Sequence, residues 1–175
     1  IQSRGLGDVY KRQPYTYFSS AELHLGEISL ECSRPGAAAV ALWATQQLFP
    51  LEKGGQMAGW LDNCLLAARE FWQALDASAD YQPLMQPELD IVCYAVNGET
   101  ASASAASARK FFEEAAQREL HLAMIELPAT LVAKYVPGLE HDQETVTCLR
   151  SVLMKAEHRE WLPRIMAILE AAAAT

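Results

Sequence analysis

Apolar and small side chains recur at helical spacing in four stretches of the chain. They fall at i, i+3, i+4 and i+7, which places them on one face of a helix. The first predicted helix starts at Ala37 and ends before Pro50, and the second covers residues 57–75. The third runs from a cap at Ser102 or Ser104 to about Leu120. The fourth carries Leu162, Ile165, Ile168, Leu169 and Ala172. Since proline is tolerated only in the first turn of a helix, Pro163 indicates that the last helix begins about three residues before it.

Three further stretches have the short, β-branched or alternating pattern of strands, at residues 89–94, 122–127 and 145–154. Residues 25–32 read as another short extended segment, which ends at a Pro-Gly turn. From residue 57 the order is helix, strand, helix, strand, strand, helix. This order predicts an α+β fold in which a small antiparallel or mixed sheet is covered by helices on one face.

Arg150 interrupts the apolar face of the last predicted strand. That face carries Val146, Cys148, Arg150, Val152 and Met154 by the two-residue period of a strand. A buried guanidinium is costly unless a carboxylate or phosphate meets it. Arg150 therefore either binds an anionic ligand through paired hydrogen bonds, or snorkels or pairs with a structural acid; periodicity alone leaves both interpretations open.

A second candidate site is the segment Ser33-Arg34-Pro35-Gly36, which precedes the alanine-rich helix. A hydroxyl, a guanidinium and free helix amides together suit a phosphate. The same four residues are also an ordinary turn into a helix. Ser33 and Arg34 are thus candidate anion ligands, with the plain turn as the alternative.

Composition excludes several classes of function. The chain is 51% hydrophobic and 21% charged with a net charge of −8, typical of a globular protein and unfavourable for nucleic-acid binding. No apolar run is long enough to predict a membrane-spanning helix. The four cysteines are widely spaced among apolar residues, which predicts reduced core thiols of a cytoplasmic protein without a metal site. No catalytic triad, P-loop or dinucleotide fingerprint occurs.

The first residues of the chain match an artificial sequence. It begins at Ile1, and Asp8 to Gln13 spell what one frame of the mosaic-end adaptor of transposon-based sequencing libraries encodes. We therefore expect residues 1–13 to be an adaptor scar and the biological sequence to start near Pro14. Without three basic and one acidic side chain of this stretch, the net charge is −10.

Several segments resemble the group II pyridoxal-phosphate-dependent decarboxylases, which include aromatic amino acid, tyrosine, aspartate and glutamate decarboxylases. The resemblance is carried by LGEISLECSRPGA at residues 25–37 with VALWA at 40–44, by LDIVCY at 89–94 and by LRSVLM at 149–154. It implies that residues 14–50 are the end of the large domain with its connecting helix. It also implies that residues 51–175 are the C-terminal small domain of a fold-type I enzyme.

The resemblance also implies site residues, a cofactor and partners. Arg150 matches the position that holds the substrate carboxylate in glutamate decarboxylases, and Ser33 and Arg34 match a stretch near the cofactor phosphate. In the family a lysine after an Asp-x-His element forms the Schiff base with pyridoxal 5'-phosphate. None of the five lysines here follows a histidine. The resemblance thus implies an inactive C-terminal fragment, with no catalytic residue of its own, of a homodimeric enzyme whose small-molecule substrate is an amino acid.

Two alternatives stay open at the level of sequence. The related sphingosine phosphate lyases share the Ser-Arg-Pro-Gly step, so the cofactor could serve lysis of a phosphorylated amino alcohol. The chain could also be a non-catalytic α+β interaction or regulatory domain, because its order of helices and strands permits one. The upstream sequence discriminates between these and a decarboxylase.

Overall fold

The computed structural model describes residues 36–173, and the predicted extended segment 25–32 lies outside them. The described residues form five helices and four strands. In chain order they are α1 (Gly36–Leu48), α2 (Gln56–Asp76), β1 (Tyr81–Pro83), β2 (Ile91–Val96), α3 (Ala101–Gln117), β3 (Ala123–Pro128), α4 (Ala129–Val132), β4 (Thr145–Val152) and α5 (His158–Ala173). The chain divides into two units, Ile1–Pro50 and Leu51–Thr175, and the second contains the whole sheet.

The four strands form one sheet in the order β1-β2-β4-β3, and every neighbouring pair is antiparallel. Strand β4 lies in the centre, where it pairs with β2 on one side and β3 on the other. The predicted α+β class is confirmed, and of the two predicted sheet types the antiparallel one is found.

The larger core lies on the face of the sheet that we call the helical face. Here α2, α3 and α5 pack over strand residues that include Val92, Tyr94 and Leu149. The rings of Phe71 and Tyr81 both meet Tyr94 edge-on, with centroids 5.8 and 5.7 Å away. Burial of these large apolar surfaces is the main stabilising term for this unit.

The opposite face of the sheet is covered only in part, and we call it the partly covered face. Segment α4 and the loop after it place Val132 and Leu139 against Ala95, Val146 and Cys148. The prediction that helices cover one face holds for the three long helices, but it missed α4, which packs on the other side. A four-residue helix is too short to show a helical period.

The termini of several elements differ from the sequence-based prediction. Helix α3 is capped by Thr100, whose side chain accepts a hydrogen bond from the Ala103 amide at 3.1 Å, and not by Ser102 or Ser104. Ser104 is buried and instead donates to the Val96 carbonyl at 2.7 Å. Helix α5 begins at His158, five residues before Pro163, and not three. Cap choice depends on backbone dihedrals that residue types do not specify.

Strand β1 was not predicted, because three residues ending in proline give no alternation to detect. It pairs with β2 at the edge of the sheet, with Tyr81 opposite Val96. Gly98, in the loop between β2 and α3, has a steric role, since a Cβ there would lie 2.6 Å from the Ser104 amide nitrogen. The loop can therefore pack directly on the start of α3 only with glycine at this position.

Candidate functional site

Arg150 lies near the end of the central strand β4, opposite Cys93 of β2 and Ala123 of β3. Strand alternation places its side chain in one row with Val146 and Cys148, on the partly covered face. Both cross-strand neighbours have small side chains. The position is thus half-buried, central in the sheet and not crowded by its neighbours.

The guanidinium of Arg150 has no ion-pair partner within residues 36–173. Its Nε is buried and makes no hydrogen bond there. Arg118, in contrast, pairs with Glu114 at 2.7 Å, and Arg159 pairs with Glu70 at 2.6 Å. A buried donor without an acceptor costs roughly 1–3 kcal/mol, so an acceptor from outside this set of residues would stabilise it. The structural acid that was one alternative for Arg150 is therefore not found in the described part of the chain.

The sheet around Arg150 exposes apolar side chains. Ile91 is paired with Val152 and is 46% exposed, and Met154, just after β4, is 67% exposed. Farther along the same face, α4 and its loop cover the strands. Arg150 thus lies where the covered part of this face gives way to an open apolar part.

Two thiols, Cys93 and Cys148, lie on the same face of the sheet as Arg150. Burial raises the pKa of Cys93, and the nearby Arg150 charge partly offsets this shift. Burial raises the pKa of Cys148 to about 12, with smaller contributions from Cys93 and Glu126. Cys64 and Cys148 are buried free thiols and Cys93 is a half-buried one; Cys32 lies outside the described residues. The raised pKa values make Cys93 and Cys148 poor nucleophiles at neutral pH.

The shifted thiol of Cys148 gives stability a pH dependence above pH 9. Its folded pKa is above the ordinary value of 9.0, so its contribution is complete below pH 9 and is lost as pH rises toward 12. Between pH 9 and 10 we expect wild type to lose about 1 kcal/mol more unfolding free energy than Cys148→Ala. Urea denaturation at both pH values measures this difference, and Tyr81 and Tyr94 titrate equally in the two proteins. Parallel losses would contradict the assignment.

The other predicted ligands cannot be placed beside Arg150. Ser33 and Arg34 lie outside the described residues. All four lysines within residues 36–173, namely Lys53, Lys110, Lys134 and Lys155, have exposed side chains. Over the same range no cluster of three or more His, Cys, Asp or Glu could hold a metal ion, and no helix is long and apolar enough to cross a membrane.

One buried polar group was missed by the sequence analysis. His158 begins α5, and its Nδ1 is buried without a hydrogen-bond partner among the described residues. Burial, followed by the charge of Lys155, lowers its pKa. A lone histidine with no motif around it carries no signal in the sequence, because its burial depends on how α5 packs against the sheet.

Several solved structures share this fold, and three of them are described here. The Oryza sativa TDC structure with PLP and tryptamine matches 96% of this chain with a TM-score of 0.59 and 11% identity. Mouse CSAD in apo form matches 95% with a TM-score of 0.55 and 14% identity. The glutamate decarboxylase domain of a diaminobutyrate-pyruvate transaminase and L-2,4-diaminobutyrate decarboxylase from Vibrio parahaemolyticus matches 78% with a TM-score of 0.52 and 18% identity.

These three neighbours are group II pyridoxal-phosphate decarboxylases, and the chain has the α+β fold of the corresponding part of them. It spans 33%, 34% and 26% of their respective lengths. No protein-family model matches the sequence, and no curated protein matches it significantly. At such low identity the similarity defines the fold, and activity is a separate question.

Proposed function

We propose that this chain is the C-terminal part of a pyridoxal-phosphate-dependent amino acid decarboxylase. The observation that carries the proposal is that its fold is shared, over most of its length, with three such decarboxylases. The segments at residues 25–44, 89–94 and 149–154 that resemble this family support it from the sequence side. In this proposal residues 14–50 end the large domain and 51–175 form the small domain.

Arg150 is the proposed substrate ligand. Its position on the central strand fixes the direction of the guanidinium, and its buried Nε has no acceptor within residues 36–173. A carboxylate of an amino acid substrate can accept two parallel hydrogen bonds from the planar guanidinium. The small side chains of Cys93 and Ala123 beside it leave room for that approach. Arg150 thus binds and orients the substrate in the complete enzyme.

In the proposed enzyme, most of the residues that contact the cofactor lie outside this chain. Pyridoxal phosphate supplies the electron sink for loss of carbon dioxide. The exposed side chains of the four described lysines do not fit its anchor, so we assign this chain no catalytic residue. Ser33 and Arg34 are proposed to lie near its phosphate, on the basis of the family resemblance alone. The chain by itself is accordingly proposed to be inactive.

The proposed complete enzyme is a cytoplasmic homodimer with a small-molecule amino acid as substrate. The acidic net charge of −8 argues against a nucleic-acid partner. We propose no membrane partner; the helices of residues 36–173 include no candidate membrane span. Which amino acid is the substrate depends on residues beyond Arg150.

The proposal is tested by expressing the chain joined to its upstream coding sequence, next to the 175-residue chain alone. The longer protein should bind pyridoxal phosphate and release carbon dioxide from at least one amino acid of a complete panel. The chain alone should release none, because it lacks the anchoring lysine. An upstream sequence without an Asp-x-His-Lys element would contradict the proposal. Cleavage of a phosphorylated amino alcohol without carbon dioxide release would favour the lyase alternative.

A further inference from the structure

A cavity of 230 Å³ lies beside the end of β4, beyond the last residue pair that β4 makes with β3. That last pair joins Ala123 to Arg150, whereas Ser151 and Val152 of β4 are paired with β2 alone. Past this point the edge of β4 that faced β3 has no neighbouring strand. The cavity therefore borders a short stretch of sheet edge in the middle of the sheet.

The side walls of the cavity are apolar and belong to the helical face. Leu120 and Leu122 precede β3, and Ile165 lies on α5; all three are half-buried and pack against the larger core. Val152 also lines the cavity, although strand alternation places its side chain with that of Arg150 on the partly covered face. Val152 therefore contributes its backbone to the cavity, and not its side chain.

The backbone of Val152 offers hydrogen bonds on this side. The N–H of Leu153 donates to the carbonyl of Asp90, just before β2, at 2.7 Å. Since the N–H and C=O groups of successive strand residues point alternately to the two neighbouring strands, those of Val152 point away from β2. Neither group has a hydrogen-bond partner among residues 36–173. The cavity thus meets one donor and one acceptor side by side.

We propose that this cavity binds a small, neutral aromatic carboxamide. The carbonyl of the ligand accepts from the N–H of Val152, its amide N–H donates to the Val152 carbonyl, and its ring packs against Leu120, Leu122 and Ile165. The site goes beyond the proposed function, because it needs neither pyridoxal phosphate nor turnover.

Hydrogen-bonding groups and size both favour this ligand class. A carboxamide carries a donor and an acceptor on neighbouring atoms, as a residue of a pairing strand does. A carboxylate has no donor for the Val152 carbonyl, and an ammonium group has no acceptor for the N–H. An apolar cavity of about 150 Å³ holds benzene, so 230 Å³ accommodates a ring with a carboxamide. Water would satisfy the two backbone groups but leave the apolar walls hydrated.

Titration of the 175-residue chain with benzamide, followed by amide NMR shifts and calorimetry, tests the proposal. We expect a dissociation constant of about 1 mM or tighter, with the largest shift at the amide of Val152. Methyl benzoate lacks the donor, toluene lacks both polar groups and acetamide lacks the ring, so each should bind at least about fivefold more weakly. Equal binding of benzamide and methyl benzoate, or shifts centred elsewhere, would show adventitious binding and overturn the proposal.

Two pairs of variants locate the ligand. Val152→Pro removes the N–H that faces the cavity but spares the pairing with β2, and should weaken benzamide binding at least about fivefold, whereas Val152→Ala should not. Ile165→Trp fills the cavity and should abolish binding, and Ala167→Trp, at an exposed position of the same helix, should retain it. If Val152→Pro does not fold, the second pair decides, and unchanged affinity in Ile165→Trp would contradict the proposal.

Other outcomes separate this site from other occupants and from the proposed function. Concentration-dependent shifts of the Val152 amide without ligand would show that a second copy of the chain pairs with this edge, and would overturn the carboxamide proposal. Absence of benzamide binding together with normal decarboxylation by the longer protein would contradict the cavity proposal alone. Benzamide binding without any decarboxylation would contradict the proposed function alone.

Discussion

Replacing Arg150 by lysine in the proposed complete decarboxylase should lower kcat/KM about 100-fold, equivalent to about 3 kcal/mol. Lysine keeps the positive charge but cannot form the two parallel hydrogen bonds by which a guanidinium orients a carboxylate. A substrate held by a single point charge spends less time in the reactive orientation. Steady-state kinetics and the absorbance of bound cofactor, measured on the same preparation, check this, and the cofactor signal should stay near normal.

Arg164→Lys is the matched control for this experiment, because Arg164 is an exposed residue of α5 and should leave kcat/KM unchanged. The two roles open to Arg150 give opposite results. A purely structural role predicts a lower melting temperature with normal specific activity in the folded fraction. That outcome in Arg150→Lys would end the substrate-clamp proposal.

Phe71→Ala should cost about 3–5 kcal/mol of unfolding free energy, the largest stability effect we expect from a single residue here. Phe71 is fully buried on the helical face, and its ring packs edge-on against Tyr94 at 5.8 Å. Truncation removes that contact and leaves a hole between α2 and the sheet, which rigid neighbours can only partly refill. Urea denaturation of wild type and variant under the same conditions gives the difference.

Leu89→Ala is the comparison for this loss. Leu89 is 74% exposed, so removing the same kind of apolar surface there should change stability by less than about 0.5 kcal/mol. A loss below about 1 kcal/mol in Phe71→Ala would mean that the aromatic contacts of Phe71 and Tyr94 do not hold α2 on the sheet.

Local sequence predicts the long helices but not the shortest elements of the fold. The long helices α2, α3 and α5 follow from local periodicity, which is a property of neighbouring residues. Strand β1 and helix α4 do not, because they are too short to have a period, and only pairing with β2 or packing on the sheet stabilises them. The cap at Thr100 likewise depends on how the chain enters α3.

The sequence by itself determined the α+β class, the three longer strands and the anomaly of an arginine in an apolar row. Only the tertiary structure decided that Arg150 has no acid partner within residues 36–173, and that Nδ1 of His158 is buried. Periodicity can place a side chain on a face, but burial and pairing depend on residues far away along the chain. The His158 ring is half-buried through the packing of α5 in the larger core, and no local pattern encodes that packing.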